Sequence, residues 1–455
     1  MTVESIEYRM AYIAGFKTFD CQLFLYWCPV ICNRKTLLFL LHISRLNRTF
    51  APLLFYHKHS IHIIRKIRYI LIFLNVLIAI AMLATGHAGH LNPTKWPLLA
   101  LGGYVFPVFL IATVLFMLFW LFFKKRFILI SFIALIAAYG PTTLYCPVAW
   151  GKNTDGTGKN RLKVLTYNTC NWGKGSGGAT DREDFTNMLD YLHSQKADVM
   201  CLQESAPSRQ ISELFDSIFS DGPRYHMDTI CSPVSGGLTI TLISRFPIKR
   251  KQRIDIQSKG NNAAAFWVEI PQEKGGGKPV TLCIVNCHLE TMGMSVKEKD
   301  EFSTAMHSMA HGKAEKDSLR SLSHHLIGKI SAASQIRAPQ ADIVSDFIAR
   351  QMTEHPEMPL LVCGDFNDIP QSYTHYRIQH PQRLDTKGAA DITPLIDCYQ
   401  ESAAGPGYTI YQNAMRVRID NILCSQQFTP IHTMTDRSVR MSDHFPVIAL
   451  LEIYR

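Results

Sequence analysis

Acidic residues are nearly missing from the first third of this 455-residue chain. Residues 1–150 hold 3 Asp+Glu against 14 Lys+Arg, a balance of +11, whereas residues 151–455 hold 34 against 33, a balance of −1. The whole-chain charge of +10 therefore belongs to the N-terminal part. It is no argument that the remainder grips nucleic acid, which needs a Lys/Arg surface of its own. Charged residues of both signs are scarce, at 18% against 47% hydrophobic. That excludes a disordered, collagen-like or acidic low-complexity protein. Cysteine is present but not as a framework. Eight of the 12 lie after residue 150, mostly inside apolar runs such as VMCLQE and TLCIVNCHLE, where they read as small buried hydrophobes. No Cys/His quartet suggests zinc, no Gly-x-Ser-x-Gly suggests a serine hydrolase, and no Gly-Lys-Ser/Thr sits at Walker spacing.

What the N-terminal third has instead is long apolar runs. Tyr69–Thr85, Leu98–Phe123 and Phe127–Trp150 contain no Lys, Arg, Asp or Glu. Each is near or above the roughly 18 residues that cross a hydrocarbon core. Three such runs in succession read as three transmembrane helices over residues 65–150 rather than as buried core helices or a cleaved signal peptide. Arg65, Lys66 and Arg68 precede the first run, and Lys124, Lys125 and Arg126 fill the turn between the second and third. The intervening loop, Gly86–Pro97, has one Lys. The positive-inside rule then puts both basic clusters in the cytoplasm and everything after Trp150 outside it, across a cytoplasmic (inner) membrane. Free thiols pull slightly the other way. Residues 1–64 fit neither part: one reading is an interfacial leader, another an over-extended gene start.

Residues 151–160 (GKNTDGTGKN) read as a linker. Beyond them short apolar runs alternate with turns and helices. RLKVLTYN (161–168), ADVMCLQE (197–204), GGLTITLIS (236–244), AAAFWVEI (263–270), VTLCIVNCHLE (280–290), PLLVCGDF (359–366), RIDNILC (418–424) and FPVIALLEI (445–453) are predicted strands. A helix is expected over Thr180–Gln195, opened by a capping box of Thr180 and Glu183. Gly275–Gly277 is predicted to be a hairpin turn. Strands mixed with helices over about 300 residues imply one large α/β or α+β domain, 161–455. Residues 291–335 are polar and weakly helical, and read as an inserted loop. There His307 and His311 have metal-binding helical spacing, though a solvated helix face is the favoured reading.

The chemistry-bearing residues fall at predicted strand ends: Asn168, Glu204, His288, Asp365, Asn367, Asp420, Asp443 and His444. Strands bury their middles, so polar groups at several ends of one sheet edge can share a cleft. Singly, each has a bland reading: a turn residue at Asn168, a helix cap at Glu204, a satisfied core histidine at His288, an Asx turn in GDFND. Together they make an inventory. Acids and amides are hard oxygen ligands suited to Mg²⁺ or Mn²⁺. Histidines with acids nearby supply proton transfer near neutral pH.

LTYN (165–168), LQE (202–204), ISRFP (243–247), NCHL (286–289), GDFND (364–368), RIDNIL (418–423) and SDHFPV (442–447) occur in that order. The series resembles the endonuclease/exonuclease/phosphatase superfamily, the deoxyribonuclease I-like fold, over 161–455. The resemblance implies a four-layered α/β sandwich, two central mixed β-sheets flanked by helices. It also implies hydrolysis of phosphate esters with a divalent metal. By the same resemblance Glu204 is the principal metal ligand, with Asn168 beside it and Asp443 in support. Asp365 and Asn367 position the nucleophilic water, the phosphate or a second metal. His444 contacts the phosphate or acts as general base, Asp420 orients it, and His288 is the first catalytic histidine. That histidine resembles the deoxyribonuclease, sphingomyelinase and inositol-polyphosphate phosphatase side rather than abasic-site endonucleases.

The expected activity is thus a membrane-anchored phosphodiesterase working by in-line water attack. The substrate is left open between nucleic acid outside the cytoplasm, a phospholipid headgroup and an inositol phosphate, and no protein partner is called for. Two rivals remain. One is a dead scaffold that binds phosphorylated ligands, which intact Glu204, Asp365, Asn367, Asp443 and His444 argue against. The other is a dinucleotide site at Gly173, Gly175 and Gly178, which leaves GDFND and SDHFPV without a role.

Overall fold

The computed structural model describes residues 53–148, 160–173, 181–234, 236–258, 260–271, 279–293, 316–385, 392–410 and 416–454, with single positions at 298, 301, 304 and 308. The leader before residue 53, most of the 151–160 linker, Thr180, Gly175, Gly178, the Gly275–Gly277 turn, His307 and His311 lie outside the described residues.

Helix α1 (Leu53–Gly86) is apolar from Tyr69 onward, and Leu99–Phe123 forms a second apolar helical stretch. Both are long and apolar enough to cross a membrane. The second begins as a 3₁₀ turn (Leu99–Val105) and becomes α2 (Phe106–Phe123), with Pro107 in its first turn where a missing N–H costs nothing. The third predicted span is not one straight helix. Helices α3 (Ile128–Ala137) and α4 (Tyr139–Tyr145) meet at a 65° bend. Pro141 supplies the reason: it cannot donate to the carbonyl of Ala137, so the ladder breaks there. Asn75 and Ser131 are buried and hydrogen-bonded at 3.0 Å, joining α1 to α3.

The remainder is a sandwich of two six-stranded sheets. Its strands are β1 (Arg161–Asn168), β2 (Val199–Gln203), β3 (His226–Ile230), β4 (Ile240–Ser244), β5 (Ile248–Ile254), β6 (Asn262–Ile270), β7 (Val280–His288), β8 (Leu360–Asp365), β9 (Ile396–Asp397), β10 (Asp420–Cys424), β11 (Phe428–Thr435) and β12 (Val447–Ile453). One sheet runs β11-β12-β1-β2-β4-β3 and the other β5-β6-β7-β8-β10-β9. The pairs β1/β2 and β7/β8 are parallel and the others antiparallel. Inward-facing Val164, Cys201, Leu242, Phe266, Ile284, Leu361 and Ile422 fill the space between the sheets. Helices α5 (Arg182–Ser194) and α6 (Arg209–Ile218) cover the first sheet through Met188, Leu189, Leu214 and Phe215. Helix α7 (Lys316–Glu354) covers the second through Ala341, Val344 and Ile348. The fold is the expected four-layered α/β sandwich. Short helices α8 (Tyr373–Gln379) and α9 (Cys398–Ser402) complete the order.

Two details differ from expectation. The capping box of α5 is Asp181 with Asp184, not Thr180 with Glu183, since a carboxylate at 181 accepts from the Asp184 N–H at 3.0 Å. Residues 316–335 of the polar segment are the first half of α7, which continues to Glu354.

Candidate active site

Each sheet sends the ends of its central strands to the same cleft. Asn168 ends β1, and Glu204 follows the last residue of β2, its parallel neighbour. His288 ends β7 and is in register with Asp365, the end of the parallel β8; Asp365 pairs in turn with Asp420, the start of the antiparallel β10. Strand direction thus delivers five chemically active side chains without any long loop.

The two sheets are pinned together just beneath the cleft. Gln203 Nε2 donates to Asn286 Oδ1 at 2.7 Å, and Asn286 Nδ2 donates to the carbonyls of Leu202 and Thr241. All of this is buried, where a lost partner costs more than the roughly 1 kcal/mol a bond contributes. Gln203 adjoins Glu204, and Asn286 is two residues from His288, so the bridge sets the spacing of those groups. Neither was singled out from the sequence, although both lie inside the quoted LQE and NCHL motifs.

Glu204 has φ +49°, a left-handed conformation that ordinary residues adopt at a cost of about 1–2 kcal/mol. Its carbonyl accepts from Thr169 Oγ1 and the Asn171 N–H, both at 2.9 Å, which holds it there. Asn367 is likewise left-handed, φ +53°. Its N–H donates to Asp365 Oδ1 at 2.8 Å and its amide to the Leu289 carbonyl at 2.9 Å. Gly364 makes the approach of β8 to β7 possible. Its φ is +132°, and a Cβ there would stand 2.0 Å from the Cys287 carbonyl oxygen.

Asn168 Nδ2 donates to Glu204 Oε1 and to Asp365 Oδ2, each at 3.1 Å, so one amide links the two carboxylates across the sheets. His288 Nε2 lies 3.7 Å from Glu204 Oε1 and 3.6 Å from Asp365 Oδ2. His444 Nδ1 donates to Asp420 Oδ2 at 2.8 Å, leaving Nε2 3.7 Å from Asp365 Oδ2. Ligand atoms of Asp365, Asp420 and His444 lie within 4.8 Å of one another. Asp443 is not in that cluster; its charge acts on His444 from the neighbouring position.

The electrostatics follow from burial. Asp365 is pushed up to about 6, first by desolvation and then by the Asp420 charge, against the opposing pull of His444, His288 and the Asn367 N–H. Desolvation disfavours a charged His444, but Asp420, Asp365, the Asp420 hydrogen bond and Asp443 outweigh it and hold the ring well above the usual histidine range. A divalent cation fits this donor set. Asp420 Oδ1 is buried with no hydrogen-bond partner among the described residues, and crowded carboxylates need a countercharge.

Residues 165–444, more than half of the chain, match the sequence profile of the Endonuclease/Exonuclease/phosphatase family. The chain belongs to this family. Members of the endonuclease/exonuclease/phosphatase family are phosphoesterases, and the two-sheet sandwich is their fold. Residues 68–145 match a separate domain of unknown function. Among curated proteins none matches the sequence. Among solved structures, the chain is similar to the human Nocturnin catalytic domain with bound sulfate, at 17% identity and TM-score 0.43, covering 65% of this chain and 95% of that one. An endonuclease/exonuclease/phosphatase from Bacteroides vulgatus gives 15% and 0.43, covering 65% and 100%. A mannosyl-6-phosphatase of Bacteroides thetaiotaomicron gives 17% and 0.41, covering 64% and 99%.

Behind the cleft sit two buried ion networks that the sequence did not disclose. Asp368 Oδ2 accepts from Arg337 Nε at 3.2 Å and Thr374 Oγ1 at 2.9 Å. Arg337 also donates to the Glu290 carbonyl at 2.9 Å, one residue beyond the Leu289 carbonyl that Asn367 uses. Asp397 lies 3.2 Å from Arg418 Nη1, Arg418 Nη2 and His375 Nε2. Asp368 and Arg418 lie inside the quoted GDFND and RIDNIL motifs, but nothing in the sequence points to their partners Arg337 and Asp397, which only the fold brings to them.

Proposed function

We propose that this chain is a membrane-anchored, divalent-metal-dependent phosphodiesterase, with residues 161–455 as its catalytic domain. The observation that carries the reading is the convergence of Asn168, Glu204, His288, Asp365, Asp420 and His444 at adjoining strand ends, with the Asp365, Asp420 and His444 ligand atoms within 4.8 Å of one another. Glu204 would hold Mg²⁺ or Mn²⁺, its carboxylate fixed by the Asn168 amide beside it. When bound, the cation withdraws charge from the phosphoryl oxygens and stabilises the added negative charge of the transition state.

The chain's own groups divide the remaining work. Asp365, raised toward neutrality, takes a proton from the attacking water, and Asn367 orients it without adding charge. His444 keeps its proton because Asp420 supports the imidazolium, so it donates to a phosphoryl oxygen. His288, between Glu204 and Asp365, donates from the other side. Water oxygen bonds to phosphorus as the bond to the leaving ester oxygen breaks.

The anchoring reading rests on the apolar stretches Ile64–Gly86 and Leu99–Phe123, with the bent pair over 125–145 as a third crossing. Lys124–Arg126 sits beyond the far end of α2, whose 18 residues span about 27 Å at 1.5 Å per residue. The loop after α1 and the end of α4 both contact the sandwich: the His90 ring lies 4.3 Å from that of Tyr376, and Gly405 N–H donates to the Pro147 carbonyl at 2.9 Å. An odd number of crossings with the basic turn inside supports a catalytic domain outside the cytoplasm. Exposed Cys231 reports on this: a membrane-impermeant maleimide should label it in intact cells.

The test of function is hydrolysis of bis(p-nitrophenyl) phosphate by the detergent-solubilised full chain with Mg²⁺ or Mn²⁺. Turnover should vanish with chelator. It should fall at least ~100-fold in Glu204→Ala and Asp365→Ala, the usual scale for charge-stabilising and proton-transfer groups. Full activity in either variant would overturn the assignment.

A further inference from the structure

The apolar helices meet the sandwich at the end that carries the cleft. The chain leaves β8 at Asp365 through 366–371 and enters β10 at Asp420 through 416–418, so both segments lie at the catalytic end of the second sheet. It is there that the helices dock. Tyr104 OH, just before α2, donates to Asp368 Oδ1 at 3.1 Å. Gly103 lies so close that a Cβ would stand 2.8 Å from the Gln371 carbonyl oxygen. Gln371 Nε2 donates to the Pro141 carbonyl at 3.2 Å, and Arg418 Nη2 to that of Leu144 at 2.9 Å.

These contacts enclose a cavity of about 110 Å³, lined among others by Tyr104, Pro107, Tyr145, Tyr408, Arg416 and Arg418. Arg418 is 2% exposed, and its Nε has no hydrogen-bond partner among the described residues. Arg416 is exposed. Both walls adjoin active-site residues along the chain. Arg418 is two residues from Asp420, and Tyr408 precedes Thr409, whose carbonyl accepts from the N–H of Phe445, next to His444, at 2.7 Å. Tyrosines at the ends of apolar helices mark the bilayer interface. The volume is well below the ~300–1,000 Å³ of sites that engulf a whole drug-sized ligand. It suits a phosphate-bearing headgroup whose hydrocarbon stays behind in the bilayer.

We propose that the substrate is a phosphodiester of a membrane lipid, taken from the bilayer surface with its headgroup seated in this cavity between the tyrosines and the two arginines. The proposal rests on the phosphodiesterase and membrane-anchor readings above. The observations favour it over a nucleic-acid polymer, because the domain after residue 150 carries no basic surplus and its catalytic end is partly covered by the apolar helices. The reaction balances as plain hydrolysis. Water oxygen bonds to phosphorus, one ester P–O bond breaks, the departing oxygen takes a proton, and a phosphomonoester and an alcohol result.

The test uses the full chain in nanodiscs with Mg²⁺. Substrates are phosphatidylglycerol, phosphatidylethanolamine, phosphatidylinositol and sphingomyelin, each mixed into the phosphatidylcholine of the disc. Beside them run their water-soluble headgroup phosphodiesters, single-stranded DNA and bis(p-nitrophenyl) phosphate. At least one bilayer lipid should turn over about tenfold or more faster than its soluble counterpart. Arg416→Glu should lower that rate about tenfold more than it lowers bis(p-nitrophenyl) phosphate turnover, the scale of one lost charged hydrogen bond. Hydrolysis of bis(p-nitrophenyl) phosphate with no lipid preferred over its soluble counterpart or over DNA would overturn this inference while leaving the phosphodiesterase reading in place. No hydrolysis of any substrate would remove both.

Discussion

Asp420→Asn separates a charge from a shape. Asp420 Oδ2 is 2.8 Å from His444 Nδ1, and both residues are buried. At an effective dielectric constant of about 20, opposite charges at that distance attract by about 6 kcal/mol. Asparagine fills the same space and still accepts the Nδ1 proton through its oxygen, so only the charge is lost. If His444 acts as an imidazolium on the phosphate, kcat should fall by about 100- to 1,000-fold, the usual range for one stabilising donor. The pH dependence has a definite sign. Asp420 helps to hold the His444 pKa well above its ordinary value against desolvation, and activity needs the protonated ring. Activity should therefore be lost as pH rises through that pKa, and in Asp420→Asn this alkaline limb should move to lower pH. The assay is a pH profile of kcat/KM with bis(p-nitrophenyl) phosphate, alongside near-ultraviolet circular dichroism to show that the fold persists. A variant within threefold of wild type at every pH would refute the role given to the pair.

Asp397→Ala strands the Arg418 guanidinium, 1% exposed at its side chain, without its carboxylate. Removing one partner of a buried pair costs about 3–5 kcal/mol, to be read from chemical denaturation. The pair also predicts acid behaviour. Burial alone would raise the Asp397 pKa, but Arg418 and His375 hold it well below the usual range. Its contribution to stability is thus present above the ordinary carboxylate pKa and lost only as pH falls toward the depressed one, so Asp397→Asn should flatten the acid limb of the stability curve. Gly364→Ala forces a Cβ against the Cys287 backbone at a positive φ, and should yield little folded protein by thermal melt. Asn286→Ala removes three buried hydrogen bonds between the sheets, roughly 3 kcal/mol. It should depress kcat as well as stability, because Glu204 and His288 lose their common spacer.

The strands were legible where the sheet buries both faces. LTYN, VMCLQ and LLVCGD are buried along their whole length, and their polar ends pointed to the cleft. The strands that escaped are edges or near-edges: β5, IKRKQRI, is mostly exposed along its length, as a charged edge must be to avoid pairing with other chains. Helix α7 escaped because its first half is polar and Pro339 interrupts its pattern. The bend in the third apolar run was signalled by Gly140 and Pro141, but composition masked it. Asp368 closes the GDFND motif, but nothing local points to Arg337, 31 residues away; partnership of that kind is a property of the fold alone.

Binding of Mn²⁺ to the solubilised full chain, followed by electron paramagnetic resonance, addresses the metal centre itself. One Mn²⁺ per chain should bind, be displaced by Mg²⁺, be lost in Glu204→Ala and be held more weakly in Asp365→Ala, which removes a neighbouring negative charge, while those variants keep the wild-type circular dichroism spectrum. Folded variants that retain the ion as tightly as wild type, or a wild-type chain that takes up none, would contradict a metal-dependent phosphodiesterase.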